Sequence, residues 1–268
     1  MLKFITLLLS LTLVSSDQTK CVGIHFRDGE LYEPIILKEG LTNIRGLTYS
    51  GKTNDIYFTF SYLDDKIKSR TAVYNLEDKT TKVINSINNT NVNLADDDKD
   101  IVYIAAADGL YKLKDNKVEK TAIKDNVLSV SIARNDLYYV NSKHEVFGIR
   151  NERTEELKML KAANVMKLVV NNIGDVIFIN TMYQVGTLKN GESEFRMHNL
   201  VAKAVMKDQQ DVVYICAENG LFEYSVTGDS FTKIAYLPNL QGLVFTKENT
   251  PIYASTGMLV QLNPKICV

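Results

Sequence analysis

The three histidines, His25, His144 and His198, are natural candidates for acid–base or zinc chemistry, and their spacing supports neither. They lie far apart with no HxxxH pattern, so they read as turn or surface residues rather than metal ligands. No GxSxG, P-loop or GxGxxG sequence occurs. That removes the short-motif routes to an activated serine or a phosphate cradle. Oxygen donors for a hard cation are more numerous. Asn93, Asp108, Asn171 and Glu218 fall at comparable places in the chain, and calcium is held by carboxylate and amide oxygens. Arg45, Lys167 and Lys203 stand at similar places, and their charge opposes a second cation. Asp108 and Glu218 also sit in DG and ENG sequences, where turn formation accounts for them. The residues thus predict no catalytic set, no metal and no cofactor, and a protein that is not an enzyme.

Those places are comparable because the chain repeats. DIVYIAAADGLYKL (Asp100 to Leu113) and DVVYICAENGLFEY (Asp211 to Tyr224) each read as strand, tight polar turn, strand. Weaker copies start at Asn54, Asn135, Gly174 and Thr250, and the aligned aromatics are Tyr57, Tyr103, Tyr139, Phe178, Tyr214 and Tyr253. The steps between them are 46, 36, 39, 36 and 39 residues. A period near 40 built from strands predicts an all-β, six-bladed β-propeller of four-stranded antiparallel blades. A β-sandwich would leave the repetition unexplained. The fifth unit parses as Lys203 to Met206, Val212 to Ala217, Leu221 to Ser225 and Phe231 to Ala235, with polar turns between. The last unit is short by one strand, and Leu31 to Leu37 has the character of the missing one. Pairing of that N-terminal strand with the last blade would close the ring and leave no long free edge. The recurring aromatics read as packing between sheets, because a single ligand needs no six-fold signal.

Composition bounds the rest. MLKFITLLLSLTLVSS at the start has a positive end, an apolar core and a small-residue exit, so residues 1–16 read as a secretory signal peptide. Residues 17–268 then form one domain, exported and monomeric. A net charge of −1 predicts neither nucleic-acid nor membrane partners. Cys21 and Cys267 lie at the two ends of the mature chain and form the natural disulfide in an oxidising compartment. Cys216 sits mid-strand among apolar neighbours and reads as a buried free thiol. Asn88-Asn89-Thr90 is a glycosylation sequon in a polar loop, with Asn88 the acceptor.

With this layout, the chain resembles the ommochrome-binding proteins of moth and butterfly haemolymph. The shared features are the early cysteine, the strand Gly46 to Ser50 (GLTYS) leading to NDIYFTFSYLDD, and the VYIAAADGLYKL unit. The late strand Ile252 to Ser255 and the LNPKICV tail complete them. The resemblance implies a secreted propeller that carries ommochromes, the phenoxazinone pigments made from tryptophan by way of kynurenine. Such pigments are flat, aromatic and acidic. A flat ring suits tyrosine faces and carboxylates suit arginine or lysine. In a propeller, the inner-strand starts and the turns between second and third strands face one end of the channel. The candidate ligand-binding residues there are Arg45, Tyr62, Asn93, Lys167, Tyr183, Lys203 and Gln241. The alternatives are a calcium-dependent lactonase- or esterase-like propeller hydrolase, or a propeller that binds another protein.

Overall fold

The computed structural model describes residues 23–27, 29–61, 69–96, 98–237 and 239–266. Among them the chain is all-β apart from one short 3-10 segment, Lys158–Ala163. Three antiparallel four-stranded sheets stand by themselves. The first is Thr42–Ser50, Asp55–Ser61, Ser69–Asn75 and Thr81–Ile84. The second is Thr90–Asp96, Ile101–Ala106, Gly109–Lys114 and Lys117–Lys120. The third is Val127–Ala133, Asp136–Asn141, Val146–Arg150 and Arg153–Glu156.

The remaining strands hydrogen-bond into one twelve-stranded sheet. Its first part is Val165–Val170, Val176–Asn180 and Gln184–Leu188, followed by the long strand Arg196–Lys207. That strand pairs with Gln184–Leu188 through its first half and with Val213–Ala217 through its second. The sequence predicts an inner strand beginning at Lys203, and the observed strand begins earlier, at Arg196. No glycine, proline or turn residue separates Leu200 from Lys203, so the chain passes from one sheet to the next without a break. Gly220–Ser225 and Ser230–Ala235 follow Val213–Ala217.

The N-terminal segment joins two parts of this sheet. Glu30–Lys38 pairs antiparallel with Met258–Pro264, outside Leu240–Phe245 and Pro251–Ser255. Ile24–Phe26 pairs with Glu30–Lys38 and touches Ser230–Ala235 through Phe26 and Ala235. Arg27 ties the same seam. Its guanidinium carbon lies 5.3 Å from the ring centres of both Tyr214 and Phe245, with Asp208 3.9 Å away. Residues 1–16, Cys21 and Cys267 lie outside the described residues. Asn88 is exposed in the loop before Thr90–Asp96.

The innermost strands touch in one cycle. Thr42–Ser50 meets Thr90–Asp96, which meets Val127–Ala133, then Val165–Val170, then Arg196–Lys207, then Leu240–Phe245, which returns to Thr42–Ser50. The fold is propeller-like, with the core lying between neighbouring sheets. Ile177 and Ile179 of Val176–Asn180, for example, pack with Val213 and Ile215 of Val213–Ala217. The six recurring aromatics are all buried, from 0% exposed for Phe178 and Tyr214 to 8% for Tyr253. Each such side chain contributes about 1.5–3 kcal/mol by burial.

Neighbouring inner strands do not pair with one another, so their facing edges lack a backbone ladder. Side chains bridge the gaps. Ala95 N donates to Thr48 Oγ1 at 3.0 Å, and Asn91 Nδ2 donates to Val127 O at 2.7 Å. Leu168 N and Val170 N donate to Ser129 Oγ and Ser131 Oγ at 3.2 and 3.0 Å. Ser131 is 2% exposed. Ser131→Ala leaves the Val170 amide buried without an acceptor, at a cost of about 1–3 kcal/mol. The expected outcome in thermal unfolding is a Tm lower by roughly 2–4 °C for each kcal/mol lost. An unchanged Tm would show that the rung adds nothing.

Candidate functional site

Every inner strand departs from plain register near its start. The shifts fall between Arg45 and Thr48, Thr90 and Val92, Val127 and Ser129, Val165 and Lys167, Ala202 and Ala204, and Leu240 and Gly242. A bulge re-aims the side chains beside it. In the first inner strand the irregular position is Gly46, at φ 59°, where a Cβ would sit 2.9 Å from the Val92 Cα. Glycine therefore lets two inner strands approach closely, and the residue before it is Arg45.

These strands enclose a cavity of about 690 Å³. Arg45, Asn93, Lys167 and Gln241 line it, beside the apolar Leu47, Val92, Leu128, Met166 and Leu168. The strands of Arg45 and Lys167 are three steps apart in the cycle of inner strands, so the two cations face each other across the axis. Burial pushes the Arg45 pKa down. Burial, followed by the field of Arg45, lowers that of Lys167 to about 8. No carboxylate among the described residues offsets either charge. Lys167 Nζ donates a short hydrogen bond to the Lys203 carbonyl, so its chain is held in place without being neutralised.

The other predicted residues divide. Asn93 is buried, and its amide is committed: Oδ1 accepts from Thr71 Oγ1 at 2.8 Å, and Nδ2 donates to Gly46 O at 3.1 Å. It braces the first two inner strands. Lys203 is the unpaired residue at its own register shift. It lines a separate cavity of about 160 Å³ with Ala217, Glu218, Asn239 and Leu240. Lys167, paired with Ile179 just past its shift, reaches the larger one. Alignment on strand starts does not register this one-residue difference. Tyr183 is half exposed at a turn, with φ 62°, and does not line the larger cavity. Tyr62 lies outside the described residues. Gln241 Nε2 is 3.4 Å from the Asn239 carbonyl.

The oxygen donors weighed for calcium do not converge. Asp108 is exposed and holds Tyr111 and Lys120, at 2.6 and 2.8 Å. Asn171 Oδ1 accepts from Asp175 N within its own turn, and Glu218 lines the smaller cavity. Among the described residues no three His, Cys, Asp or Glu side chains group as a metal site. The donor set therefore does not fit a calcium ion.

Sequence reasoning missed two features. Residues at the far ends of the inner strands also line the cavity, among them Asp96, Asp208 and Asp211. Asp208 accepts from Gln210 N and Val212 N at 2.9 Å, and Asp211 accepts from Lys207 Nζ at 2.6 Å. Their signal was the polar turn itself, KDQQD, which reads as a turn rather than as a channel lining. The second feature is a hydroxyl, imidazole and carboxylate cluster in the outer strands. Thr187 Oγ1 lies 2.9 Å, and Asp229 Oδ1 3.9 Å, from the same His198 Nε2. A nucleophile–base–orienter relay needs the two ring nitrogens to serve different partners, and Thr187 is buried. The cluster is structural.

No family model matches the chain. It is similar to an ommochrome-binding protein of Manduca sexta, with 20% identity over 257 residues covering 91% of each chain. Its fold is similar to XC5397 of Xanthomonas campestris, described as a gluconolactonase. The TM-score is 0.70 at 10% identity, covering 92% of this chain and 96% of that one. It is also similar to regucalcin of Agrobacterium tumefaciens, described as a calcium-binding protein. There the TM-score is 0.63 at 9% identity, covering 87% and 94%. These likenesses correct the expectation that the chain is not an enzyme, because a lactone-hydrolysing protein is built on the same fold. The physical reason is that a propeller draws its site from residues about 40 apart, so a missing short motif carries no weight. No helix among the described residues is long and apolar enough to cross a membrane.

The uncompensated charge of Lys167 has a consequence for stability. Its folded pKa, about 8, lies below the ordinary lysine value of 10.5. Between those values the unfolded chain binds more protons than the folded one, so this group makes stability rise with pH across the window. Lys167→Met should raise Tm at pH 7 and flatten that rise. Thermal unfolding measured from pH 7 to 10.5 tests this, and a lower Tm with an unchanged pH profile would contradict it.

Proposed function

We propose that this chain is a secreted six-bladed propeller whose axial cavity binds a flat aromatic acid of the ommochrome kind. One observation carries the reading. Two cations, Arg45 and Lys167, line one cavity, and its described carboxylates, Asp96, Asp98, Asp208 and Asp211, stand at the opposite ends of the inner strands. A ligand carboxylate would supply the missing charge, and charge-assisted hydrogen bonds to arginine and lysine are the strong kind. The cavity volume falls within the ~300–1,000 Å³ range of small-molecule sites. Leu47, Val92, Met166 and Leu168 offer apolar surface to a ring. In this reading Asn93 and Gln241 belong to the cavity with the two cations. Residues 1–16 direct export, residues 17–268 form the domain, Cys21 pairs with Cys267, and Asn88 accepts a glycan. The similarity to an ommochrome-binding protein supports the choice of ligand.

The fold likeness favours a second reading, lactone hydrolysis in the same cavity. Arg45 and Lys167 would then stabilise the oxyanion that develops when water adds to a lactone carbonyl. The residues do not fit calcium, so the reading runs through these two side chains.

Both readings meet in one variant. Titrating a xanthommatin-type pigment into Arg45→Ala/Lys167→Ala should show affinity reduced at least about tenfold, the loss of ~1.4 kcal/mol. Unchanged affinity would reject the site. Turnover of gluconolactone above the uncatalysed rate, abolished in the same variant, would establish the second reading instead.

A further inference from the structure

Lys167 has features beyond those an electrostatic anchor requires. Lys167 lines a cavity wide enough for an organic ligand, and Leu128, Met166 and Leu168 are part of the same lining. A second cation, Arg45, faces it. The strands packed beside it bring no carboxylate. Val127–Ala133 and Val176–Asn180 hold no titratable side chain, and the second half of Arg196–Lys207 adds only Lys203 and Lys207. Cys216 lies close, but burial pushes its thiol up, so it stays neutral. Asp96, Asp98, Asp208 and Asp211 line the same cavity at the opposite ends of the inner strands. A lysine desolvated beside another cation is the arrangement that makes an amine nucleophilic near neutral pH.

We propose that Lys167 captures the carbonyl of an aldehyde or ketone acid as an imine, with the ligand carboxylate held by Arg45. The proposal rests on the acid-binding reading of the cavity and narrows the ligand class to acids that also carry a reactive carbonyl. The step balances without an oxidant or reductant. The neutral amine nitrogen adds to the carbonyl carbon and gives a carbinolamine after proton transfer from nitrogen to oxygen. The hydroxyl then leaves as water, and a carbon–nitrogen double bond forms. Arg45 supplies direction by fixing the acid end, and the Lys203 carbonyl supplies position by holding Nζ. Burial and the field of Arg45 lower the Lys167 pKa to about 8, so part of the amine is neutral near neutral pH.

The test uses the full chain and 4-carboxybenzaldehyde, a flat aromatic acid with one aldehyde. Protein and probe are mixed at pH values from 6 to 10, reduced with borohydride, and mapped by peptide mass spectrometry. The expected result is one adduct, on Lys167, with yield half-maximal near pH 8. Arg45→Ala should lower that yield about tenfold, the equivalent of ~1.4 kcal/mol. Benzaldehyde, which lacks the acid, should show no preference for Lys167. Adducts spread over surface lysines with Lys167 unmodified would overturn the proposal. So would a Lys167 adduct that forms equally with benzaldehyde. Terephthalate, which has acid groups and no aldehyde, separates this failure from that of the acid site. If terephthalate binds the native chain but no Lys167 adduct forms, the imine is wrong and the acid site stands. If neither occurs, both fail. Lys167→Arg keeps a cation but has no primary amine, so the adduct at this position should be absent while labelling of surface lysines is unchanged.

Discussion

The inner edges of the sheets set the main constraint on this protein. Each innermost strand turns one edge toward its neighbours and the axis, and that edge has no further strand to pair with. Backbone amides and carbonyls left unpaired in a buried place are costly. The chain meets the demand with short polar side chains: Thr48 bridges to Ala95, Asn91 to Val127, and Ser129 and Ser131 to Leu168 and Val170. Asn93 joins the first and second inner strands through Gly46, and Asn172 N donates to Asp211 between the fourth and fifth. The buried polar residues of the inner strands are therefore structural rungs first. Asn93 is one of these rungs, its Oδ1 accepting from Thr71 Oγ1 and its Nδ2 donating to Gly46 O.

The same constraint explains where the cavity opens. Inner strands that were bridged along their whole length would leave no room for a guest. The register shifts break the regular spacing at the strand starts, and it is there that Arg45, Lys167 and Gln241 reach the cavity. Lys167 serves both demands. Its Nζ is a rung to the Lys203 carbonyl, and its charge is left uncompensated in the cavity. A buried cation without a counter-charge gives up stability.

Much of the fold was legible in the sequence because strand turns follow local chemistry. The strands of the fifth unit, the burial of the six aromatics and the pairing of the N-terminal strand with the last sheet all follow from repetition and polar turn residues. The unbroken strand Arg196–Lys207 was not legible, because nothing in a run of apolar and basic residues says where one sheet ends and the next begins. The site was legible in part. Arg45, Asn93, Lys167 and Gln241 share a cavity, since strand starts point the same way in a cyclic fold. Lys203 leaves that group and lines the smaller cavity, although Gln241 holds the equivalent unpaired position in its own strand and stays in the larger one. Tyr183 fails for a different reason. It follows Asn180, whose side chain accepts from Met182 N and Gln184 N, and this tight turn leaves the ring half exposed away from the cavity.

The expectation of a non-enzyme failed on a point about how this architecture stores chemistry. In folds where a single loop carries the nucleophile, short motifs are diagnostic. In a cyclic arrangement the reacting groups come singly from strands about 40 residues apart, so no pair of them forms a local motif. The informative quantity is the electrostatic field they create together. Arg45 and Lys167 are separated by more than a hundred positions in the chain, yet the charge on one lowers the proton affinity of the other. That coupling exists only because the inner strands close into a cycle. It is as useful for holding an acid as for stabilising an oxyanion or freeing an amine, so the chemistry at this site depends on which ligand carbonyl or carboxylate the two cations meet.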